Sequence, residues 1–432
     1  DRLLGGSINV TNPLQMEVKS VGADTVMSEI QRTIERAQAE KPPMARLADR
    51  VAARFIGLVL LIVVSVAIFW WLHDAEHWFE IALAVLIVSC PCALSLATPT
   101  AISASLGKLQ SAGLLVKRGS ALENLTRVTH VVFDKTGTLT RGRPRLERVI
   151  CSPQYERDQC LQIAAALEQH SEHPLARVLV QEVGVLEKRK LKRIASTAGG
   201  GICASIDEVD YFIGNADYIA SHSNAEIPAQ WLDEIAADAV TTVMLARADR
   251  VIAMFTFVDD LREDAKMLIT HLQTRGKSVI LLTGDGHAAA RRVADLTGIS
   301  DDRAQMSPQA KMEAVQALQR ETAVVLMIGD GVNDAPVLSS ADVSIAMGGA
   351  SSLAKTSADI VLTANHLPAI AESLIVAARN QRIVYQNMGW ALMYNFGAIP
   401  AAAMGLIAPW LAAIGMSVSS LLVVLNALRL TR

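Results

Sequence analysis

Four long stretches without a charged side chain restrict what this chain can become. Phe55–Leu72, Ile81 to about Ala104, Met388–Ala408 and Pro409–Leu428 are almost wholly apolar, with Pro91 and Pro99 interrupting the second. At 1.5 Å of rise per residue, each is about long enough to cross a hydrocarbon core of ~30 Å as a helix. Buried helices of a large soluble core are the competing explanation, and charge-free runs of this length argue against it. The hydrophobic content of 51% and mean hydropathy of +0.31 are concentrated in these runs. The remainder has ordinary soluble composition.

Flanking charges orient the spans. Arg46, Arg50 and Arg54 precede the first, and Lys108, Lys117 and Arg118 follow the second. Arg379 and Arg382 precede the third, and Arg429 and Arg432 follow the fourth. The connection His73–Trp78 has no Lys or Arg, nor has the turn between spans three and four. Basic flanks stay in the cytoplasm, so the segment before the first span and the roughly 280 residues from Lys108 to Asn387 are expected there.

That insertion reads as α/β. Short β-branched runs (Val128–Phe133, Ser278–Leu282, Val324–Ile328, Val343–Met347, Ile360–Thr363) alternate with helical stretches such as Asp264–Arg275 and Pro308–Arg320. This alternation implies a parallel sheet. Residues 144–253 break the rhythm and are expected to form an inserted α+β domain, leaving 108–143 and 254–387 to the parallel-sheet domain. The spans occupy 41–107 and 388–432. Residues 1–40 read as the end of a small β domain followed by an amphipathic helix from Ser28. Asp1 is followed by no charged leader with a cleavage site, so the chain reads as a fragment or as part of a longer protein. A net charge of −3 gives no reason to expect nucleic acid as a partner, and five cysteines make no disulfide framework.

Three polar clusters follow three of the expected strands, and the carboxyl ends of strands in an open parallel sheet converge on one crevice. The first is Asp134-Lys135-Thr136-Gly137-Thr138-Leu139-Thr140. A carboxylate just past a strand, beside hydroxyls and glycine, suits an attacking nucleophile, with backbone N–H groups and Thr136 holding a phosphoryl group. The second is Thr283-Gly284-Asp285-Gly286, and the third Gly329-Asp330-Gly331-Val332-Asn333-Asp334. Asp330 and Asp334 offer the hard oxygen ligands that Mg²⁺ prefers. No Gly-x-x-x-x-Gly-Lys-Ser/Thr loop is present, so a Walker-type ATP site is excluded. Cys90-Pro91-Cys92 lies near the middle of the second span. Proline bends a helix and frees a carbonyl, presenting both sulfurs to one cavity, and soft thiolates select Cu(I) or similar ions.

The heptad beginning at Asp134 resembles the signature of P-type ATPases, which form an aspartyl-phosphate within a haloacid-dehalogenase-like domain. The resemblance implies a multi-domain membrane protein: a transmembrane helical bundle, a cytoplasmic phosphorylation domain and an inserted nucleotide-binding domain. It makes Asp134 the phosphorylated residue, beside Lys135. Thr283 would face the phosphate oxygens, with Gly284 and Asp285 alongside. Lys311 would neutralise phosphoryl charge, Asn333 would contact the phosphoryl group, and Asp330 would ligate Mg²⁺ directly, with Asp134, Thr136 and Asp334 completing its surroundings. Ser171-Glu172-His173-Pro174-Leu175 resembles the adenine-binding signature of the heavy-metal branch. Glu168 and His173 would then hold adenine, while Gly199, Gly201, Ile202 and the later Gly214-Asn215 would line the nucleotide. Cys-Pro-Cys ahead of the phosphorylation motif is the hallmark of that branch. Tyr394, Asn395, Met416 and Ser420 resemble the Cu(I) subgroup, whereas zinc and cadmium pumps carry charge in these spans. Gly113–Glu123 resembles the copper pumps tied to respiratory oxidase assembly.

The resemblance implies ATP and Mg²⁺ as cofactors and Cu(I) as cargo, with other soft or divalent metals (Ag, Zn, Cd) as the alternative. It implies residence in membrane lipid, most readily a bacterial inner membrane, and partners in a Cu(I) donor chaperone and the rest of the same protein. Residues 1–40 would be the end of an actuator domain whose Thr-Gly-Glu loop is not in this chain, so phosphoenzyme formed here would decay slowly. A soluble haloacid-dehalogenase-type phosphatase would share the Asp134 chemistry but not the spans. A non-catalytic metal receptor would share Cys-Pro-Cys but not the phosphorylation set.

Overall fold

The computed structural model describes residues 43–90, 92–171, 173–187, 189, 191–197, 200–223, 225–231, 241–331, 334–364 and 366–431. The side chains of 43–53, 92–94, 174 and 352–353 are not described. Of the positions singled out by sequence, residues 1–40, Pro91, Glu172, Gly199, Asn333 and the side chain of Cys92 therefore lie outside the described residues.

The phosphorylation-type domain is a seven-stranded sheet in the order β1-β13-β12-β11-β2-β9-β10. Its strands are β1 (Leu114–Val116), β2 (His130–Asp134), β9 (Ser278–Leu282), β10 (Asp301–Arg303), β11 (Val325–Gly329), β12 (Val343–Met347) and β13 (Ile360–Leu362). All neighbours run parallel except β1, which closes one edge antiparallel to β13. The middle strands are buried on both faces, which is why they read as unbroken Val/Ile/Leu runs rather than alternating ones. β2 sits between β9 and β11. The chain leaves it toward β9 and β10, then returns to its other side for β11, β12 and β13, so β2 is the topological switch point.

The insertion is a six-stranded antiparallel sheet in the order β3-β8-β7-β6-β5-β4. It comprises β3 (Thr140–Cys151), β4 (Leu191–Thr197), β5 (Gly201–Ile206), β6 (Val209–Gly214), β7 (Thr241–Arg247) and β8 (Arg250–Leu261). One face packs on helices Arg157–Glu168 and Pro174–Val183, and the other on helix Ala216–His222. The chain enters on β3 and returns on β8, two paired twelve-residue strands, so Pro144 and Ala253 lie inside strands rather than at their ends.

The apolar runs form helices Pro43–His73, Trp78–Val88, Cys92–Ser111, Pro368–Ala403 and Pro409–Ala427. The second run is two helices, not one: the first ends at Val88 and the second begins at Cys92. The third run is the distal part of a 36-residue helix, so residues 368–387, expected in the phosphorylation domain, are continuous with a span. Among the described residues, Arg54–His73 and Pro409–Leu430 are each long and apolar enough to cross a membrane. Leu58, Leu61, Val64, Ile68, Leu72, Phe396 and Leu421 all point outward. An exposed apolar belt of this extent needs hydrocarbon around it.

Candidate functional site

Asp134 is the last residue of β2 and is buried, only 6% of the residue being exposed. Lys311 reaches it from the first turn of helix Pro308–Arg320. That helix start is fixed by Ser307, whose hydroxyl accepts from the Ala310 N–H at 3.1 Å. Lys311 Nζ donates to Asp134 Oδ1 at 2.5 Å and to Asp334 Oδ1 at 3.0 Å. Asp334 in turn accepts from the Gly331 N–H at 3.2 Å. Ligand oxygens of Asp134, Asp330 and Asp334 all lie within 4.8 Å of one another.

Three carboxylates thus face one ammonium. Burial and the neighbouring Asp334 push the Asp134 carboxyl up to about 7, against the pull of Lys311. Burial and Asp334 likewise lift Asp330 to about 6. Burial alone would favour neutral Lys311, but Asp134 and Asp334 outweigh it and leave its pKa raised. The donor set is all oxygen and short of positive charge, which fits a hard divalent ion such as Mg²⁺.

The loop after Asp134 is shaped to meet Asp330. Gly137 has φ of 73°, and a Cβ there would overlap the Asp330 carboxylate. Lys135 is buried and paired with Asp285 in the loop after β9, which joins two of the three strand ends. Thr283, also buried, accepts from the Asp285 N–H at 3.1 Å through its hydroxyl, and Gly284 lies between them. Thr136 is exposed. Thr138 Oγ1 is buried without a protein partner, an expensive condition unless a bound group supplies one.

Two residues with no role assigned from sequence hold this loop. Arg262, just past β8, donates through Nε to the carbonyls of Thr138 (2.9 Å) and Thr140 (3.1 Å), and through Nη2 to that of Gly137 (3.0 Å). Asp259 accepts from the Thr140 hydroxyl at 2.5 Å and from the Gly142 and Arg143 N–H groups. Both act on the shape of a segment about 120 residues away, so only the Asp-x-x-Arg spacing could have hinted at them. Arg262→Ala strips three carbonyl partners from the loop. It is expected to slow phosphorylation at least tenfold, about 1.4 kcal/mol of barrier, with ATP affinity unchanged. Single-turnover labelling beside equilibrium nucleotide binding checks this, and Arg262→Lys, lacking the fork geometry, should recover only part.

In the inserted domain Glu168 ends helix Arg157–Glu168. Its Oε2 is buried without a protein partner, and burial raises its pKa against a hydrogen bond from Ser171. His173 caps helix Pro174–Val183, its Nδ1 accepting from the Leu175 N–H at 3.3 Å, and the residue is exposed. Asn215 caps helix Ala216–His222 by accepting from the Tyr218 N–H at 2.8 Å. Gly201 and Gly214 are directly paired across β5 and β6, and a Cβ on either would strike the Tyr218 ring and the opposite backbone. Protein packing alone therefore already demands glycine there. Ile202 packs on the domain core.

In the membrane bundle, one apolar layer joins Ala84, Val85 and Val88 to Ala402 and Ala412. A second joins Ala97 to Ala391 and Val423. In chain order the interval between helices Trp78–Val88 and Cys92–Ser111 falls between these layers, and so do Tyr394, Asn395, Met416 and Ser420 on the two partner helices. Cys90 is half-buried. Asn395 is buried, with Oδ1 lacking a protein partner. The Tyr394 hydroxyl lies so close to Gly415, beside Met416, that a Cβ there would come within 2.8 Å of it. Ser419, adjacent to Ser420, is engaged instead, accepting from Trp390 Nε1 at 3.2 Å. Among the described residues this layer has sulfur and neutral oxygen and no carboxylate.

Residues 128–342 match the haloacid dehalogenase-like hydrolase family. The chain is 36% identical over 440 residues to a copper-exporting P-type ATPase of Bacillus subtilis, covering all of this chain and 55% of that protein. It is 38% identical over 444 residues to a probable copper-exporting P-type ATPase of Mycobacterium tuberculosis, covering 57% of it. The chain thus spans about half the length of these curated relatives. A crystal structure of a zinc-transporting PIB-type ATPase in its E2·Pi state superposes with a TM-score of 0.73 at 33% identity, over 96% of this chain and 69% of the other. With a third of its residues identical to that structure over more than two thirds of the other chain, and the same fold, the chain belongs to the heavy-metal-transporting P-type ATPases.

Proposed function

We propose that the protein containing this chain uses ATP to move Cu(I) out of the cytoplasm across a membrane, by way of a phosphate carried on Asp134. The observation that carries the reading is the pairing of two chemistries in one chain: an oxygen-lined, cation-seeking cluster at Asp134, and a neutral, sulfur-bearing layer at the Cys-Pro-Cys break. Phosphatase chemistry alone would leave the second without a purpose, and metal reception alone would leave the first without one.

Asp134 Oδ attacks the terminal phosphorus of ATP, the bond to the bridging oxygen breaks, and ADP leaves; hydrolysis of the acyl phosphate later restores the carboxylate. Lys311 holds the nucleophile and offsets charge on the phosphoryl oxygens. Thr136, Thr138 and Thr283 offer hydroxyls, and the Lys135–Asp285 pair keeps the two loops in register. Asn333 is assigned to the phosphoryl group by family resemblance. Mg²⁺, held by Asp330 with Asp134 and Asp334 nearby, would neutralise the charge that builds on the phosphoryl group. In the inserted domain Glu168 Oε2, an acceptor in search of a donor, suits the exocyclic amine of adenine. His173 would lie against the ring, with Gly199, Gly201, Ile202 and Asn215 alongside. A bacterial plasma membrane, a cytoplasmic Cu(I) donor protein and the other domains of the same protein complete the proposal.

Acid-stable labelling from γ-labelled ATP tests it. Cu(I), or Ag(I) in its place, should stimulate labelling of the complete protein, while Zn(II) does little. Stimulation by Zn(II) and not by Cu(I) would replace the copper reading with a zinc one.

A separable expectation concerns His173, whose ring both caps a helix and would face the nucleotide. His173→Ala should weaken ATP binding about tenfold, ~1.4 kcal/mol, and also cost ~1 kcal/mol of cap stability. His173→Asn keeps a capping acceptor and removes the ring. If adenine contact is the role, calorimetry will show both variants equally weak; if only the cap matters, asparagine will bind like wild type.

A further inference from the structure

Helix Pro368–Ala403 carries three buried asparagines, Asn380, Asn387 and Asn395. Asn395 lies in the membrane layer already described. The other two have no part in either site, yet each ties this helix to a partner in the bundle. Asn380 Oδ1 accepts from the Ser105 hydroxyl at 3.1 Å, which holds the helix that begins at Cys92. Asn387 spends both ends of its amide on helix Pro409–Ala427. Its Nδ2 donates to the Val423 carbonyl at 3.3 Å, and its Oδ1 accepts from Asn426 Nδ2 at 2.8 Å. Only 2% of Asn387 is exposed. An amide between membrane helices is costly when unpaired. Once both ends are paired it joins the helices and fixes how far one sits along the other.

Residue counts place the metal layer relative to this rung. The two helices meet at Asn387 with Val423, at Trp390 with Ser419 and at Tyr394 with Gly415, so they run antiparallel. Seven residues separate Asn387 from Tyr394, and seven separate Val423 from Met416. At a rise of about 1.5 Å per residue, Tyr394 and Met416 both lie roughly 10 Å beyond the rung, level with each other. The Tyr394 hydroxyl seated against Gly415 shows the same level independently. A slip of one residue would move Met416 past Tyr394 by about 1.5 Å. Metal–ligand distances tolerate only about 0.2 Å, so a slip far smaller than one residue already spoils a shared site.

We propose that Asn387 is a positioning residue for the transported ion: its doubly bonded amide sets the level at which Met416 meets Tyr394 and Asn395, without touching the ion itself. The proposal rests on the copper reading for the identity of the ion.

Ag(I), a redox-inert stand-in for Cu(I), is titrated against phosphoenzyme formation from ATP in the complete protein. Asn387→Leu keeps the volume and removes both bonds. Asn426 retains Gln386 and Arg429 as partners, so the change strands no amide there. The half-stimulating Ag(I) concentration should rise about tenfold, with the maximal level of phosphoenzyme unchanged. Metal-free labelling of Asp134 by inorganic phosphate, the reverse of acyl-phosphate hydrolysis, should persist and shows that the protein is folded. The decisive arm adds Met416→Ala. If Asn387 acts through the place of Met416, the double variant should lose about tenfold, no more than Met416→Ala alone, whereas independent losses would multiply to about a hundredfold. Should Asn387→Leu abolish labelling by phosphate as well, Asn426→Ala reads the same cycle with a smaller loss, since it removes only the 2.8 Å bond from a half-buried partner. A half-stimulating concentration that does not move, or losses that multiply, would overturn the assignment. Failure of the copper reading shows elsewhere: Ag(I) would then not stimulate even the wild-type protein, and the same cycle is read with Zn(II).

Discussion

Replacing Asp134 by asparagine is expected to reduce the acid-stable phosphoenzyme below detection while the protein stays folded and still binds ATP. In the proposed reaction the carboxylate is the attacking group, and an amide at the same place has no anionic oxygen to offer. The fold should gain. With Asp134 ionised, three carboxylates surround the single Lys311; as asparagine, two remain. The direction of the pKa shift makes this testable. Asp134 is raised from its ordinary 3.8 to about 7 by burial and by Asp334. Its contribution to stability is therefore fully present below the unfolded pKa and is lost as pH rises through about 7. In EDTA at pH 8 Asp134→Asn should melt higher than wild type, by on the order of 3 °C. The gap should close as pH falls toward 4 and the wild-type carboxyl gains its proton. Mg²⁺ should stabilise wild type more than the variant. A variant that melts lower at pH 8 would show that the Lys311–Asp134 contact outweighs the crowding of carboxylates.

The parallel sheet was legible because its strands are buried on both faces. Ser278–Leu282 and Val343–Met347 appear with the bounds expected of them, and helix Pro308–Arg320 likewise, since Ser307 and Pro308 announce its start. The three strand-end clusters were legible for the same reason: short polar motifs after apolar runs in an α/β alternation have one place to go. The inserted sheet was not. β3 carries Arg145, Glu147 and Arg148 among its residues, and its pairing with β8 across more than 100 residues leaves no local mark. Arg262 and Asp259 escaped notice because they hold backbone rather than substrate. Gly201 and Gly214 were expected to admit nucleotide, yet the structure also fills the space around them with Tyr218. Apolar composition marked the spans but not where they begin, because helix Pro368–Ala403 runs unbroken from charged into apolar sequence, through Met388 and Gly389.

Buried polar atoms lacking a protein partner mark the sites more sharply than any motif does. Among the described residues they are Thr138 Oγ1, Glu168 Oε2, His271 Nε2 and Asn395 Oδ1. Three of the four fall in the loop after Asp134, the helix end proposed to face adenine and the membrane layer beside Cys90. Each unpaired atom costs about 1–3 kcal/mol, and a chain tolerates that where a ligand returns it.

The membrane layer gives the second large effect. Cys90→Ser and Cys92→Ser should each remove stimulation of phosphorylation by Cu(I), a loss of at least about 100-fold in apparent metal affinity, or ~2.7 kcal/mol. A serine hydroxyl keeps the size and the hydrogen bonding of cysteine. It lacks the polarisable, readily ionised sulfur that a d¹⁰ monovalent ion prefers. The surrounding donors decide the charge of the ion. Tyr394, Asn395, Met416 and Ser420 are neutral, so two thiolates around a monovalent ion already leave one negative charge in a place where charge is costly. A divalent ion would reach neutrality there but would want a further hard ligand, and the layer has no carboxylate. Met416→Ala should therefore weaken Cu(I) binding less than either cysteine change, about tenfold, because a thioether shares the ion without supplying charge. Introducing Met416→Asp should move the preference toward Zn(II) by adding the missing anion. Phosphoenzyme formed against titrated metal reads all four variants on one scale. Full Cu(I) stimulation in Cys90→Ser would place the ion somewhere other than the helix break.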